Sequence, residues 1–323
     1  MGRRSVRLKR RTAAVESGSH EPLKSQGHDA ARDVDRRYLH LALALIGSFM
    51  IFEVIVAVIS GSVALFADAG HMLTDVGAIA GAIWVTSLTT RPASQAYTFG
   101  LKRAEVLSAA INGTTLLIVA ALVTFEAIQR LISRPPVQGG AMIVVAIVGV
   151  GVNSVATLVL SRANQESMNI RGAFLHILTD LYAFIATAVA GALIVTMHWS
   201  WADPVASLVV AVLMFRAASS LLQTSGRVLL QGTPESVDLR SVRDHMIDLP
   251  DVVEVHELHA WTLSSDLPVL SAHVVVKDEC INEGRMGEVL DHLQGCLADH
   301  FDVEHSTFQL EKPLHREHEW PGH

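Results

Sequence analysis

The chain has 323 residues, of which 50% are hydrophobic and only 18% charged. With a mean hydropathy of +0.37, it suits lipid better than a soluble core, which excludes an ordinary soluble enzyme as the first reading. The net charge of −7 hides an uneven layout, with Arg3, Arg4, Arg7, Lys9, Arg10 and Arg11 crowding the start and acids gathering after Pro234; no nucleic-acid partner is expected.

The basic start is not read as a secretory signal peptide, because the first apolar run begins only at about Tyr38 and no small-residue cleavage site follows. Residues 1–36 are expected to form a disordered cytosolic arm. Crossing a bilayer takes about 20 residues of helix. Six stretches qualify, at 38–60, 63–89, 104–130, 140–162, 171–197 and 202–224. The sixth has the shortest uninterrupted apolar run, ending at Arg216, whose long side chain can snorkel to the interface. The positive-inside rule puts Arg91, Lys102, Arg103, Arg162 and Arg171 in the cytosol against Arg130 and Arg134 outside, so both termini are expected to be cytosolic.

Inside these spans lie groups that lipid penalises. The second span contains His71-Met72-Leu73-Thr74-Asp75 and the fifth His176-Ile177-Leu178-Thr179-Asp180. Residues four apart share a helix face, so each span presents one imidazole and one carboxylate in one direction. At 1.5 Å per residue, both pairs fall roughly 7–16 Å from the cytosolic edge of a core about 30 Å thick. The two pairs can therefore meet at one level. A hydrogen-bonded structural pair would explain a single buried histidine, whereas two matched pairs argue for a metal site. Two nitrogens and two oxygens suit tetrahedral zinc, with cadmium, cobalt and nickel as competitors, while magnesium and calcium prefer all-oxygen shells.

Other intramembrane polar residues are read differently. Asp68 could face the same cavity or the interface, and Glu53 is isolated by sequence. Asn112 and Asn153 are expected to hydrogen-bond between helices.

The remainder, 227–313, changes to a soluble pattern. An amphipathic stretch at 236–249, strand-like runs at 251–261 and 269–277, a helix-like stretch at 283–301 and a last strand at 306–310 give the order α-β-β-α-β. A small α+β domain, ferredoxin-like in order, is expected to follow a six-helix transmembrane domain at 37–226, with a polar tail at 314–323. Cys280 and Cys296 are the only cysteines and sit in no CxxC spacing, so they read as reduced thiols. His20, His28, His315, His318 and His323 read as solvated tail residues.

At this point the chain resembles the cation diffusion facilitator family, in particular its zinc-exporting members. The resemblance rests on the stretch from Ala67 to Asp75, on Tyr97-Thr98-Phe99-Gly100-Leu101-Lys102-Arg103-Ala104-Glu105, on the stretch from Asn169 through His176 to Asp180, and on Asp203-Pro204. It implies a homodimer that exchanges the metal for protons, with His71, Asp75, His176 and Asp180 as transport ligands. It also implies interhelical or dimer salt bridges from Lys102, Arg103 and Glu105. In the cytosolic domain His256, His273 and Glu311 match positions that bind zinc in relatives, with His259 and His305 as neighbouring candidates. Gln309 stands where a histidine is usual.

Two departures matter. The loop Arg91-Pro92-Ala93-Ser94-Gln95-Ala96 lacks the ligands of a further site found in some members, and 161–169 lacks the long histidine-rich loop of eukaryotic relatives. A prokaryotic inner-membrane protein is expected. An intramembrane zinc protease would need a motif such as His-Glu-x-x-His, which does not occur. A membrane-anchored metal sensor would not need matched ligand pairs in two spans. Efflux, without enzymatic activity or organic cofactor, is the favoured reading.

Overall fold

The structure, a computed structural model, describes residues 23–60, 63–133, 139–197, 199, 201–265, 267–301, 303, 305–313 and 315. Side chains are described from Arg36 onward, except at 56, 57, 59–71, 74 and 139–142. Six long helices come first: α1 (Leu23–Ser60), α2 (Val63–Thr89), α3 (Ala104–Ser133), α4 (Gly139–Leu160), α5 (Met168–Met197) and α6 (Ala202–Leu229). Five contain described stretches long and apolar enough to cross a membrane, and α2, at 27 residues, contributes a described apolar run over Asp75–Thr89. Ile51, Phe52, Trp84, Leu122, Phe125, Val144, Leu158, Val212 and Phe215 are all exposed on these helices. Such an apolar surface is stable only against lipid. The chain is an integral membrane protein.

Of the arm expected to be disordered over 1–36, residues 1–22 lie outside the described residues and the remainder is helical from Leu23, as the start of α1. Residues 23–35 contain no proline and include the helix formers Lys24, Gln26, Ala30, Ala31 and Arg32. The segment is polar and helical at once. His28 falls in that segment, His315 is exposed just beyond the last strand, and His20, His318 and His323 lie outside the described residues.

α1, α2, α4 and α5 share one core, built from Leu39, Ile46, Phe49, Ile79, Ala156, Leu160 and Ile177. α3 and α6 share another, around Leu116, Ala120, Val210, Met214 and Ala218. At the end of this pair formed by the last turn of α3 and the first of α6, Arg130 reaches Asp203 at 3.1 Å and Glu126 at 2.5 Å. Small residues set how closely helices approach. A Cβ on Gly149 of α4 would overlap the Phe184 ring on α5, which itself packs edge-on against Phe49 at 6.1 Å. Gly149→Ala is therefore expected to destabilise the bundle by about 1–3 kcal/mol. Thermal melting in detergent checks this, with Gly151→Ala, which meets nothing within 4 Å, expected to melt as wild type.

The C-terminal domain follows the expected order with one short helix added: α7 (Leu239–Ile247), β1 (Val252–Thr262), β2 (Pro268–Val276), α8 (Asp278–Asn282), α9 (Met286–Phe301) and β3 (His305–Glu311). Asp238 caps α7, accepting from the Arg240 N–H and the Ser241 hydroxyl. The Ser241 hydroxyl first, and then the Arg240 N–H, hold its carboxyl below the usual range. β1 pairs antiparallel with β2, and β2 parallel with β3. Val242, Met246, Val255, Leu270, Val274, Leu293 and Leu297 fill the space between helices and sheet.

Candidate metal centres

α2 and α5 bring Asp75 and His176 together in the bundle interior, at 4% and 3% exposure. His176 Nε2–H donates to Asp75 Oδ1 at 2.6 Å, and the same nitrogen lies 4.0 Å from Asp180 Oδ2, one turn further along α5. One ligand atom from each of the three falls within 4.8 Å of those of the others. The ring's other nitrogen, Nδ1, is buried with no hydrogen-bond partner among the described residues. Ionisable groups buried at this depth in an apolar bundle cost several kcal/mol. Two carboxylates facing one imidazole nitrogen form a nitrogen and oxygen pocket whose negative charge suits a divalent cation. His71 lies on α2 four residues before Asp75, and its side chain, like that of Asp68, is outside the described residues. Glu53 is buried on α1.

Polar bonds between the helices are carried by a residue with no role assigned from sequence. Asn169, at the start of α5, donates through Nδ2 to the Ala82 carbonyl at 2.8 Å and to Thr86 Oγ1 at 3.2 Å, and accepts from Ser108 Oγ at 2.8 Å. It thus ties α5 to α2 and α3. Among the described residues neither expected asparagine does this: Asn153 Nδ2 bonds the Gly149 carbonyl of its own helix, and Asn112 packs its amide beside Gly172 with a buried oxygen unbonded there.

Within the single chain, hydrogen bonds stand where an interhelical salt bridge of Glu105 is expected. Glu105 has no ion pair among the described residues; its Oε1 accepts from Ser167 Oγ at 2.5 Å, Ser265 Oγ at 3.0 Å and Asn169 N at 3.5 Å. Ser265 in the β1–β2 turn in turn accepts from the Met168 N–H at 3.0 Å. The C-terminal domain is thereby fastened to the ends of α3 and α5.

A second cluster lies on the sheet. The β1–β2 register pairs His256 with His273, and Glu311 pairs with Val275, two residues beyond His273 and so on its face. His273 Nδ1 lies 2.9 Å from Glu311 Oε1, and His256 Nε2 3.5 Å from Glu311 Oε2. The Glu311 side chain is 1% exposed, and Gln309 Nε2 donates to its Oε1 at 2.7 Å. The residue standing in for a histidine thus orients the carboxylate. One buried carboxylate serving two imidazoles matches the donor chemistry of a zinc site.

His259 and His305 are placed elsewhere. A bulge with Glu257 at φ 46° inserts one residue, so that His259 pairs with Ser271, but its Nε2 turns to Glu257 Oε2 at 3.1 Å. His305 stacks edge-on with Phe99 of the α2–α3 connection at 5.5 Å.

Residues 39–230 match the family described as the cation efflux transmembrane domain, and residues 234–313 the cation efflux protein cytoplasmic domain. The chain is 36% identical over 287 residues to the zinc transporter ZitB of Shigella flexneri, covering 88% of this chain and 90% of that one. It is 38% identical over 278 residues to the metal cation efflux system protein CzcD of Cupriavidus metallidurans, covering 86% and 87%. With the cadmium, cobalt and zinc/H(+)-K(+) antiporter of Bacillus subtilis it shares 34% over 292 residues, covering 90% and 93%. A membrane bundle with a buried His and Asp cluster, a small α+β domain and matches of this length to both halves identify the chain as a member of the cation diffusion facilitator family of membrane transporters.

Proposed function

We propose that the chain exports a divalent metal cation, zinc foremost, in exchange for protons. The ion is held by His71, Asp75, His176 and Asp180 during alternating access between the two sides of the membrane. The observation that carries this reading is the convergence of Asp75, His176 and Asp180 inside the apolar bundle. The names of relatives support it, since they specify zinc, cadmium and cobalt. The working unit is a homodimer in a prokaryotic inner membrane with both termini cytosolic. The transport domain gives way to the cytosolic domain near residue 227, and His256, His273 and Glu311 hold a regulatory zinc ion there.

Imidazole and carboxylate bind metal only in their deprotonated forms, so metal and protons compete for one set of groups. A proton gradient then biases loading on the cytosolic side and release outside. Purified protein in proteoliposomes is expected to show zinc flux driven by an imposed pH gradient, with protons moving the opposite way. Zinc flux that persists unchanged, without counter-movement of protons, would remove the antiport and leave uniport. Absence of zinc, cadmium and cobalt flux alike would remove the transport reading.

A further inference from the structure

Beyond both clusters, α9 carries His292, Cys296 and His300 at four-residue intervals, which puts them on one helix face. Cys296 Sγ lies 3.8 Å from His300 Nδ1. From α7, the ring of His245 approaches that of His300 with centroids 5.3 Å apart and planes at 65°. His245 Nδ1 donates to the Ser241 carbonyl at 2.9 Å, which fixes the tautomer and leaves Nε2 as a lone-pair donor. Phe301 closes one side, 5.2 Å from the His245 ring.

These separations can be set against metal geometry. Bonds of about 2.3 Å to sulfur and about 2.0–2.1 Å to nitrogen, arranged tetrahedrally, separate the two donors by about 3.6 Å and two imidazole centroids by about 5 Å. Cys296 Sγ and His300 Nδ1 already stand near that spacing, whereas the donor atoms of all three together do not yet lie within 4.8 Å, so closing on one ion takes rotation of the His245 and His300 side chains. His245 and His300 are exposed and Cys296 is half-buried, so the cluster is open to dissolved metal. Cys280, by contrast, is fully buried. The Cys296 thiol is held above its usual range by burial and by the charge of Asp299, which argues against a reactive redox thiolate but leaves a group that a cation can deprotonate.

We propose that Cys296, His300 and His245 form a third site, for a soft divalent cation with cadmium bound more tightly than zinc, on the helical face of the cytosolic domain. Its thiolate distinguishes it from the two clusters described above, which offer only nitrogen and oxygen. Soft ligands favour soft ions, so this site has a different selectivity from the transport pathway. It does not depend on the transport reading.

Sulfur supplies the test. Full-length protein in detergent is titrated with cadmium while the near-ultraviolet absorption of a thiolate-to-cadmium transfer is followed. One equivalent is expected to produce the band, with zinc displacing cadmium only at excess. The band is expected to persist in Cys280→Ser, to vanish in Cys296→Ser, and to need at least about tenfold more cadmium in His300→Ala or His245→Ala, as loss of one ligand requires. On the wild-type protein, one equivalent of cadmium is expected to slow alkylation of Cys296 by iodoacetamide at least about tenfold. No band in the wild type, a band indifferent to both histidines, or unchanged alkylation would each overturn the site and leave the cluster as a packing contact between α7 and α9.

Discussion

Asp75→Asn is expected to reduce zinc flux in proteoliposomes by about 100-fold or more while the protein melts near the wild-type temperature. The asparagine keeps the size of the side chain, and its Oδ1 can still accept from His176 Nε2–H, the bond that measures 2.6 Å in the wild type. What it removes is the charge. A divalent ion entering a site at 3–4% exposure has little water to screen it, so a neutral amide in place of a carboxylate weakens both binding and the electrostatic balance of the pocket. Loss of an outer-shell partner alone typically costs about 10–100-fold in metal affinity or activity, and loss of a direct ligand costs more. Asp75→Ala is a poorer test because it leaves His176 without its partner and risks unfolding, breaking a buried pair being worth about 3–5 kcal/mol. A folded Asp75→Asn protein that carries zinc at the wild-type rate would place the pathway elsewhere.

The parts of this fold dictated by the bilayer were legible in the sequence. α2, at Val63–Thr89, has the bounds its apolar run implies, because a spanning helix must satisfy all its backbone groups internally over a fixed thickness. Ahead of its apolar run α1 continues as helix through the polar stretch 23–35, where apolar length gives no sign of it. The meeting of Asp75, His176 and Asp180 was legible too, since a four-residue spacing on two spans is a geometric statement. The long-range polar contacts were not. Ser265 and Glu105 lie 160 residues apart, and a hydroxyl in a turn has no periodicity to mark it. Nor was the bulge at Glu257 readable. In an unbroken strand His256 and His259 would face opposite sides, and only the inserted residue, at φ 46°, returns them to one face. Cys296 was missed for a related reason: a CxxC search ignores a cysteine whose partners are histidines one helical turn away or on another helix.

The cluster on the sheet yields the second large effect, with different consequences for the metal-free and the metal-bound protein. Both oxygens of Glu311 serve it, one toward His273 and one toward His256, on a side chain only 1% exposed. Without metal, that carboxylate is a buried charge facing imidazoles, so Glu311→Gln removes a desolvation penalty together with a charge-assisted hydrogen bond and is expected to leave metal-free stability close to wild type. With zinc the comparison changes. Saturation at 100 times the dissociation constant stabilises the native state by about 2.7 kcal/mol per site, and calorimetry is expected to show a zinc-dependent rise in melting temperature that is smaller by this one contribution in Glu311→Gln or His256→Ala than in the wild type. The consequence reaches the membrane through the β1–β2 hairpin. Its strands carry His256 and His273, and its turn carries Ser265, which bonds both Glu105 on α3 and the Met168 N–H at the head of α5, eight residues before His176. If zinc at Glu311 stiffens that hairpin, Glu311→Gln flux should rise with cytosolic zinc without the added steepness that a second, activating ion gives the wild type. Equal zinc-dependent melting shifts in Glu311→Gln and wild type would remove the metal from this cluster and leave Glu311 as an anchor of the sheet.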